Sequence, residues 1–259
     1  MRPLFIIGPC ALESREVAFA VASSLRCLFG GDGARDAEVV FKGSFTKDNR
    51  MAAASYRGPG ISEGLALLRS VREEFGLRVL TDVHESAQVE LVAESVDVLQ
   101  IPAFLCRQTS LLEAAGSAGL PVNVKKGQFM APDDMAGAVE KLCSAGCPEV
   151  WLTERGSFFG YHDLVVDLRS LSVMRGMADR VVLDVTHSLQ LPGALGSCSG
   201  GRPALSVNLA RAGAAWGTDG IFLETHPDPS SALCDASSMV PLGRLEDLVD
   251  SVLRHWEGA

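Results

Sequence analysis

The stretch Gly220-Ile221-Phe222-Leu223-Glu224-Thr225-His226-Pro227 places a carboxylate directly after a short apolar run. The run does not alternate with polar residues, which is the pattern of a parallel strand that is buried on both faces. A second carboxylate, Asp235, follows eleven residues later in a predicted loop. The stretch therefore predicts a buried strand of an α/β protein that ends in a functional site.

Seven earlier runs rich in Val, Ile and Leu have the same character, and a helical pattern follows each of the eight runs. The predicted strands are residues 3–8, 37–42, 77–81, 96–101, 120–124, 149–152, 180–184 and 220–223. The predicted helices are residues 14–29, 64–75, 86–94, 109–118, 133–144, 164–177, 203–217 and 245–256.

Eight β-then-α units without a linker-like change in composition predict a single (β/α)8 TIM barrel, one catalytic domain over residues 1–259. The alternative is an open doubly wound sheet. That fold favours a Gly-x-Gly-x-x-Gly turn after its first strand, and none is present there. The glycines in Gly30-Gly31-Asp32-Gly33 follow a helix instead, so we interpret them as a connecting turn.

The composition excludes several classes of protein. No apolar run approaches the roughly 18 to 20 residues of a membrane span, and no secretory n-region precedes Leu4, so we expect no membrane partner. Seven scattered cysteines are not typical of a disulfide framework in a chain of 259 residues, which favours a reducing, cytoplasmic location. The net charge of −9 argues against nucleic acid as a partner.

The few lysines are concentrated at predicted strand ends. Only five of the 23 basic residues are lysines, and four of these, Lys42, Lys47, Lys125 and Lys126, follow apolar runs. Solvated strand ends could explain them, but in an acidic protein they favour a site for a small anion. The glycine-rich segment 193–202 follows the seventh strand, where barrels often hold phosphate on backbone amides.

Four further strand-end and loop residues form a set suited to a divalent metal ion. Cys10, His187, Glu224 and Asp235 would offer a thiolate, an imidazole and two carboxylates, which suit zinc, iron or manganese. Each residue alone has an ordinary structural explanation, and only their shared position at the carboxyl ends of the strands favours a metal centre. His84 and His226 compete with His187 for the imidazole position.

Several longer strings resemble the 3-deoxy-D-manno-octulosonate 8-phosphate synthase family, in order and over essentially the whole chain. They are Gly8-Pro9-Cys10, Phe41-Lys42-Gly43-Ser44-Phe45, Thr81-Asp82-Val83-His84, Gln100-Ile101-Pro102-Ala103-Phe104, Asn123-Val124-Lys125-Lys126-Gly127-Gln128-Phe129, Thr153-Glu154-Arg155-Gly156, Phe159-Gly160-Tyr161, Asp184-Val185-Thr186-His187-Ser188 and Glu224-Thr225-His226-Pro227. The resemblance implies condensation of phosphoenolpyruvate with arabinose 5-phosphate and water, for lipopolysaccharide biosynthesis, by a homotetramer.

The resemblance also implies a branch of that family and roles for individual residues. Cys10 and the string Asp235-Ala236-Ser237 resemble the metal-dependent branch, which selects Cys10, His187, Glu224 and Asp235 as ligands of one divalent ion per subunit. The catalytic residues implied are Lys47, Lys125, Arg155, Cys10 and His187. The substrate-binding residues implied are Lys42, Lys47, Asn49, Arg50, Asp82, Ala103, Phe104, Arg107, Lys125, Gln128, Arg155 and Ser199, with Arg107 reaching in from a neighbouring subunit.

Two departures leave alternatives open. The family usually has serine or threonine after Asn49-Arg50, in contact with the sugar phosphate, and this chain has Met51. The related heptulosonate 7-phosphate synthases, which use erythrose 4-phosphate, carry Lys-Pro-Arg where this chain reads Lys47-Asp48-Asn49-Arg50. This difference argues against activity toward the shorter aldose, which is kept as the second enzymatic hypothesis. A non-catalytic barrel that binds phosphosugars or metal is the third.

Overall fold

The computed structural model describes residues 2–31, 34–48, 55–194 and 199–256. Within these residues eight parallel strands form a barrel, and the first strand closes it by pairing with both the second and the eighth. The strands are β1 (Leu4–Gly8), β2 (Glu38–Lys42), β3 (Arg78–Asp82), β4 (Val98–Ile101), β5 (Val122–Lys125), β6 (Val150–Glu154), β7 (Arg180–Asp184) and β8 (Gly220–His226). The predicted barrel is confirmed, and the open doubly wound sheet is wrong.

Helices follow the strands and cover the outside of the barrel. They are α1 (Arg15–Phe29), α2 (Ile61–Phe75), α3 (Val89–Ala93), α4 (Thr109–Gly116), α5 (Ala136–Ser144), α6 (Arg169–Arg175), α7 (Ser206–Trp216) and α8 (Leu245–Trp256). Single 3₁₀ turns lie at Ser86–Gln88, Ala103–Leu105, Asp133–Met135, His187–Leu189, Pro203–Leu205, Pro229–Ser231 and Leu242–Arg244. Short strands pair outside the barrel, Ser157–Phe158 with Leu164–Val165 and Gln190–Leu191 with Gly200–Gly201, and Val240–Pro241 joins the edge of β8.

Helix α1 shows how the sequence produces these elements. The hydroxyl of Ser14 accepts a hydrogen bond from the Val17 amide at 3.2 Å, which caps a helix start that the sequence predicts. Such a cap stabilises a helix by about 1 kcal/mol. Val21, Leu25 and Leu28 recur on one face, and that face packs on the outside of the barrel as part of the main hydrophobic core.

The predicted helix over residues 164–177 is wrong at its start. Leu164–Val165 is a strand that pairs antiparallel with Ser157–Phe158, and α6 begins only at Arg169. Gly160 and His162 have positive φ angles of 82° and 55°, so the chain reverses direction between the two short strands. The carboxylate of Asp167 then accepts a hydrogen bond from the Arg169 amide at 3.0 Å, which starts the helix there.

The barrel interior has an apolar layer below a polar layer. The apolar layer is a buried cluster of Leu4, Ile6, Val40, Leu80, Val98, Trp151, Val182 and Phe222. Side chains two residues apart on a strand face the same side, so the next inward positions lie one layer closer to the carboxyl ends. These positions hold Lys42, Asp82, Gln100, Asn123, Lys125, Thr153, Asp184 and Glu224, all of them buried. Strand alternation thus delivers a closed ring of polar groups to the mouth of the barrel.

Gly8 is the last residue of β1 and lies where the backbones of β1 and β2 approach closely. A Cβ added to Gly8 would lie 1.7 Å from the carbonyl oxygen of Lys42 and 2.7 Å from its carbonyl carbon. Only a residue without a side chain fits against β2 at this height. The absence of a side chain at Gly8 also places Cys10 and Lys42 side by side, and Lys42 Nζ donates to the Cys10 carbonyl at 2.8 Å.

Candidate active site

The barrel brings the four predicted metal ligands into two groups that share Asp235, one with His187 and Glu224 and the other with Cys10 and the neighbouring Cys234. His187 Nε2 lies 3.7 Å from Glu224 Oε1 and 4.0 Å from Asp235 Oδ2. Cys10 Sγ donates a hydrogen bond to Asp235 Oδ2 at 2.9 Å. The four predicted ligands come from the segments just after β1 and β7, from within β8 and from the loop after β8, so up to 225 positions separate them along the chain.

The imidazole of His187 is oriented by Asp184, the last residue of β7. Asp184 Oδ2 lies 2.8 Å from His187 Nδ1, and Asp184 Oδ1 accepts hydrogen bonds from the amides of Thr186 and His187 at 2.9 and 2.8 Å. Because a carboxylate can only accept, Nδ1 carries the proton that lies toward Asp184, and Nε2 faces Glu224 and Asp235. Burial would raise the pKa of Asp184, but His187 and Lys125 hold it far below its usual value.

Glu224 lies fully buried within β8, which runs two residues beyond it, rather than at the strand end that the sequence suggests. Lys42 Nζ donates to Glu224 Oε1 at 2.9 Å, and the Glu224 amide donates to the hydroxyl of Thr186 at 2.8 Å. Burial would raise the pKa of Glu224, but Lys42, then His187 and Lys47, hold it well below its usual value. Glu224 is therefore an anion, and its second oxygen, Oε2, is buried without a hydrogen-bond partner.

Asp235 and Cys10 follow the neighbouring strands β8 and β1 and bond to each other. Asp235 has a φ of 48°, a conformation that aspartate adopts more readily than most residues and that is found at ligand sites. Burial raises the pKa of the Cys10 thiol, helped by its contact with Cys234 and by the charge of Asp235. The thiol thus holds a proton that a metal ion would displace.

The donor set fits a divalent metal ion. Two ligands of a tetrahedral zinc site lie roughly 3.3 to 3.8 Å apart, given bonds of about 2.0 to 2.3 Å. The His187–Glu224 distance of 3.7 Å and the His187–Asp235 distance of 4.0 Å are close to that range. The second carboxylate oxygen, Glu224 Oε2, is buried without a hydrogen-bond partner and is therefore available to a ligand.

A pocket beside this cluster collects cationic and polar side chains from six strands and the loops that follow them. It is lined by Lys42, Lys47, Asp82, His84, Gln100, Pro102, Ala103, Phe104, Lys125, Gln128, Arg155 and His187. Three buried side-chain atoms in it lack hydrogen-bond partners: the donor Arg155 NH1, the acceptor Gln128 Oε1 and His84 Nδ1. Burial lowers the pKa of Arg155. A buried guanidinium donor of this kind is suited to a bound carboxylate or phosphate.

Lys125 stands where the pocket meets the metal cluster. Its ammonium contacts the carboxylate of Asp184 and lies 3.1 Å from the centre of the Phe222 ring. Burial lowers the pKa of Lys125 to about 8, against the opposing attraction of Asp184. Lys47 lies on the other side of the cluster, with its Nζ 3.8 Å from Glu224 Oε1.

A chain of hydrogen bonds around the barrel holds Asp82. Its two oxygens accept from Ser44 and from Gln100 Nε2, the latter at 2.5 Å. Asn123 Nδ2 donates to Gln100 Oε1 at 2.8 Å, and Thr153 donates to Asn123 Oδ1 at 2.7 Å. The chain spans the ends of β3 to β6, so the carboxylate of Asp82 has a fixed direction at the pocket wall.

The remaining substrate-binding residues predicted from the resemblance have different outcomes. Asn49 and Arg50, with Met51, lie outside the described residues. Arg107 is exposed and lines a separate cavity with Cys106 and Lys141, outside the pocket of its own chain. Ser199 is half-buried, and its carbonyl accepts a hydrogen bond from the Ser237 hydroxyl at 2.8 Å.

The structure separates the three histidines that competed for the metal cluster. His187 joins the cluster, whereas His84 lines the pocket and packs edge-on against Phe45. His226 ends β8, two residues beyond Glu224, with its Nε2 2.7 Å from Glu13 Oε1. No role for Asp184 was predicted, although an acid three residues before a strand-end histidine is a recognisable signal for a carboxylate that orients an imidazole.

Comparison with known proteins decides the family. The model of the DAHP synthetase I family matches residues 1–254. The chain belongs to the DAHP synthetase I family.

Three relatives to which the chain is similar share one enzyme name. The chain is 50% identical over 252 residues to the 2-dehydro-3-deoxyphosphooctonate aldolase of Desulfatibacillum aliphaticivorans, covering 96% of this chain and 90% of that protein. It is 49% identical over 248 residues to the protein of the same name from Syntrophotalea carbinolica, covering 96% and 88%. It is 51% identical over 255 residues to that of Nitratidesulfovibrio vulgaris strain DP4, covering 98% and 92%. The predicted resemblance to the octulosonate 8-phosphate synthases is thereby confirmed.

No helix within the described residues is long and apolar enough to cross a membrane.

Proposed function

We propose that this chain condenses phosphoenolpyruvate with D-arabinose 5-phosphate and water to give 3-deoxy-D-manno-octulosonate 8-phosphate and phosphate, as one barrel domain. The observation that carries the proposal is the pocket in which Lys47, Lys125 and Arg155 converge beside the possible metal ligands His187, Glu224 and Asp235. The relatives named as 2-dehydro-3-deoxyphosphooctonate aldolases support the choice of reaction.

The cations of the pocket would hold phosphoenolpyruvate. Arg155 offers a buried N–H donor without an internal partner, and Lys47 and Lys125 add positive charge to the same pocket. Their charges offset the repulsion between two anionic substrates, so an unfavourable encounter becomes an oriented one. As the C–O bond to phosphate breaks, Lys125 and Arg155 lie where the charge on the departing phosphate develops.

Asp82 and Lys42 would have supporting roles. The carboxylate of Asp82 is fixed by Ser44 and Gln100 at the pocket wall, where it can accept hydrogen bonds from sugar hydroxyls. The ammonium of Lys42 donates hydrogen bonds to Glu224 and to the Cys10 carbonyl. Lys42 therefore orders the proposed metal ligands and also lines the substrate pocket. Ala103 and Phe104 form the opposite wall of that pocket.

Cys10, His187, Glu224 and Asp235 would hold one divalent ion per subunit, zinc, iron or manganese. When bound, such an ion supplies Lewis acidity toward the sugar aldehyde or a more acidic water. The chain's own contribution is the direction of the ligands. Asp184 keeps the Nε2 lone pair of His187 toward the cluster, and Lys42 keeps Glu224 ionised.

The sugar phosphate would lie farther out, against Asn49, Arg50 and Ser199. Arg107 supports a homotetramer, because it is exposed and lies outside its own pocket, as a residue that serves a neighbouring subunit would be. We place the tetramer in the cytoplasm, in lipopolysaccharide biosynthesis, on the resemblance and on the reducing environment that free cysteines favour.

The test is release of inorganic phosphate from phosphoenolpyruvate in the presence of either aldose phosphate, with and without a chelator. The proposal expects release that requires arabinose 5-phosphate. Faster release with erythrose 4-phosphate would favour the heptulosonate reaction instead. Binding of phosphoenolpyruvate without phosphate release under any of these conditions would favour a non-catalytic barrel.

A further inference from the structure

His226 and Glu13 form a buried contact at the carboxyl end of β8, two residues beyond the proposed ligand Glu224. His226 ends β8 and is 3% exposed. Its Nε2 lies 2.7 Å from Glu13 Oε1, and its Nδ1 lies 2.7 Å from the carbonyl oxygen and 3.1 Å from the amide nitrogen of Asp228. Both ends of the ring are therefore held, and the ring joins the segment after β1 to the end of β8.

Glu13 makes a second bond that reaches the loop of Asp235. Its other oxygen, Oε2, accepts a hydrogen bond from the backbone amide of Leu233 at 2.9 Å. The Glu13 side chain is 10% exposed. One carboxylate thus ties together two segments that lie 220 positions apart in the chain.

Each of the three segments joined by Glu13 also carries a proposed metal ligand. Glu13 follows Cys10 by three residues, His226 follows Glu224 by two, and Leu233 precedes Asp235 by two. We propose that Glu13, with His226 and the Leu233 amide, forms a brace that positions Cys10, Glu224 and Asp235 for metal binding. The inference rests on the metal centre of the proposed function and makes Glu13 a positioning residue.

The brace matters most for Asp235. This residue lies in a loop between a 3₁₀ turn at Pro229–Ser231 and the short strand Val240–Pro241, and its φ is 48°. An aspartate in that conformation needs surrounding contacts to keep it there. The bond from the Leu233 amide to Glu13 fixes the backbone two residues before Asp235. Residues that orient ligands in this way typically change metal affinity about 10- to 100-fold when they are replaced.

The experiment measures binding of Co²⁺ to metal-free protein, by titration in the visible and near-ultraviolet range. Glu13→Ala is the principal variant, and we expect its dissociation constant for Co²⁺ to rise by about 100-fold. In Glu13→Gln the new side chain is nearly isosteric but can keep only part of the hydrogen bonding of Glu13, so we expect the dissociation constant for Co²⁺ to rise by about 10-fold. Glu16→Ala is the matched control, because Glu16 is an exposed glutamate in the first turn of α1.

The spectrum separates positioning from general loss of structure. At saturating Co²⁺ the thiolate charge-transfer band should persist in Glu13→Ala, since Cys10 remains, while the d–d bands change because Asp235 is displaced. Thermal unfolding of the metal-free variants shows whether they fold. If Glu13→Ala does not fold, the comparison is made with Glu13→Gln.

Two results would overturn the brace, and the second of them would also overturn the proposed metal centre. Wild-type affinity and wild-type d–d bands in both Glu13 variants would overturn the brace alone. No thiolate band in the wild type, or the same band in Cys10→Ala, would overturn the brace together with the proposed metal centre. Neither readout depends on turnover, so failure of the proposed reaction would be seen separately in the phosphate-release assay.

Discussion

Asp184 Oδ2 lies 2.8 Å from His187 Nδ1, and this contact sets the direction of the imidazole in the proposed metal centre. The same carboxylate also contacts the ammonium of Lys125, which lines the substrate pocket. A single buried side chain at the end of β7 therefore links the residues proposed to hold the metal ion with those proposed to hold phosphoenolpyruvate.

Replacement of Asp184 by asparagine should weaken metal binding. An asparagine amide can donate toward Nδ1, which favours the tautomer with the proton on Nε2 and removes the lone pair that faces Glu224. The dissociation constant for Zn²⁺ should rise by about 10- to 100-fold in competition with a chromophoric chelator. Asp247→Asn on the exposed face of α8 is the control. An unchanged dissociation constant in a folded Asp184→Asn protein would contradict this role.

Replacement of Cys10 by alanine should abolish metal binding at the centre and most of the activity. The thiol is fully buried and donates to Asp235, so its removal takes away one of the proposed ligands and leaves the neighbouring thiol of Cys234 in the same group. Metal analysis of the purified variant and turnover after dialysis against chelator are the measurements. Cys27→Ala, at an exposed thiol on α1, should behave as the wild type. Full turnover of Cys10→Ala after exhaustive chelation would disprove the metal assignment.

The activity should decline in alkali because of Lys125. Its pKa of about 8 means that the side chain is a cation below that pH and becomes neutral above it. Loss of the charge weakens binding of an anionic substrate, so kcat/KM for phosphoenolpyruvate should fall as the pH rises through about 8. In Lys125→Arg the guanidinium stays charged, with a pKa above about 12, and this decline should disappear. A decline at the same pH in Lys125→Arg would assign it to another group.

Replacement of Gly8 by alanine should destabilise the barrel strongly. The new Cβ would lie 1.7 Å from a backbone oxygen of β2, so a strand must move. We expect a loss of about 3 kcal/mol or more in the free energy of unfolding, measured with urea. Gly137→Ala is the matched control, since no atom lies within 4 Å of its added Cβ and it stands in α5. That control should gain about 0.5 to 1 kcal/mol.

The barrel could be predicted because its information is local. Strands β1 to β8 lie within two residues of the predicted starts, since continuous apolar runs of this length report burial on both faces. The error over residues 164–177 has a different cause, because the apolar residues there fit a helix as well as a strand. Only the pairing with Ser157–Phe158 decides between the two.

The sequence by itself determined the fold family and the residues that reach the mouth of the barrel, because the alternation of each strand puts its last inward side chain there. Only the tertiary structure decided which of these residues touch. That Lys42 bonds Glu224 and that Glu13 bonds the loop of Asp235 depend on residues 182 and 220 positions apart. No local pattern specifies such contacts, since closure of the barrel brings their partners together.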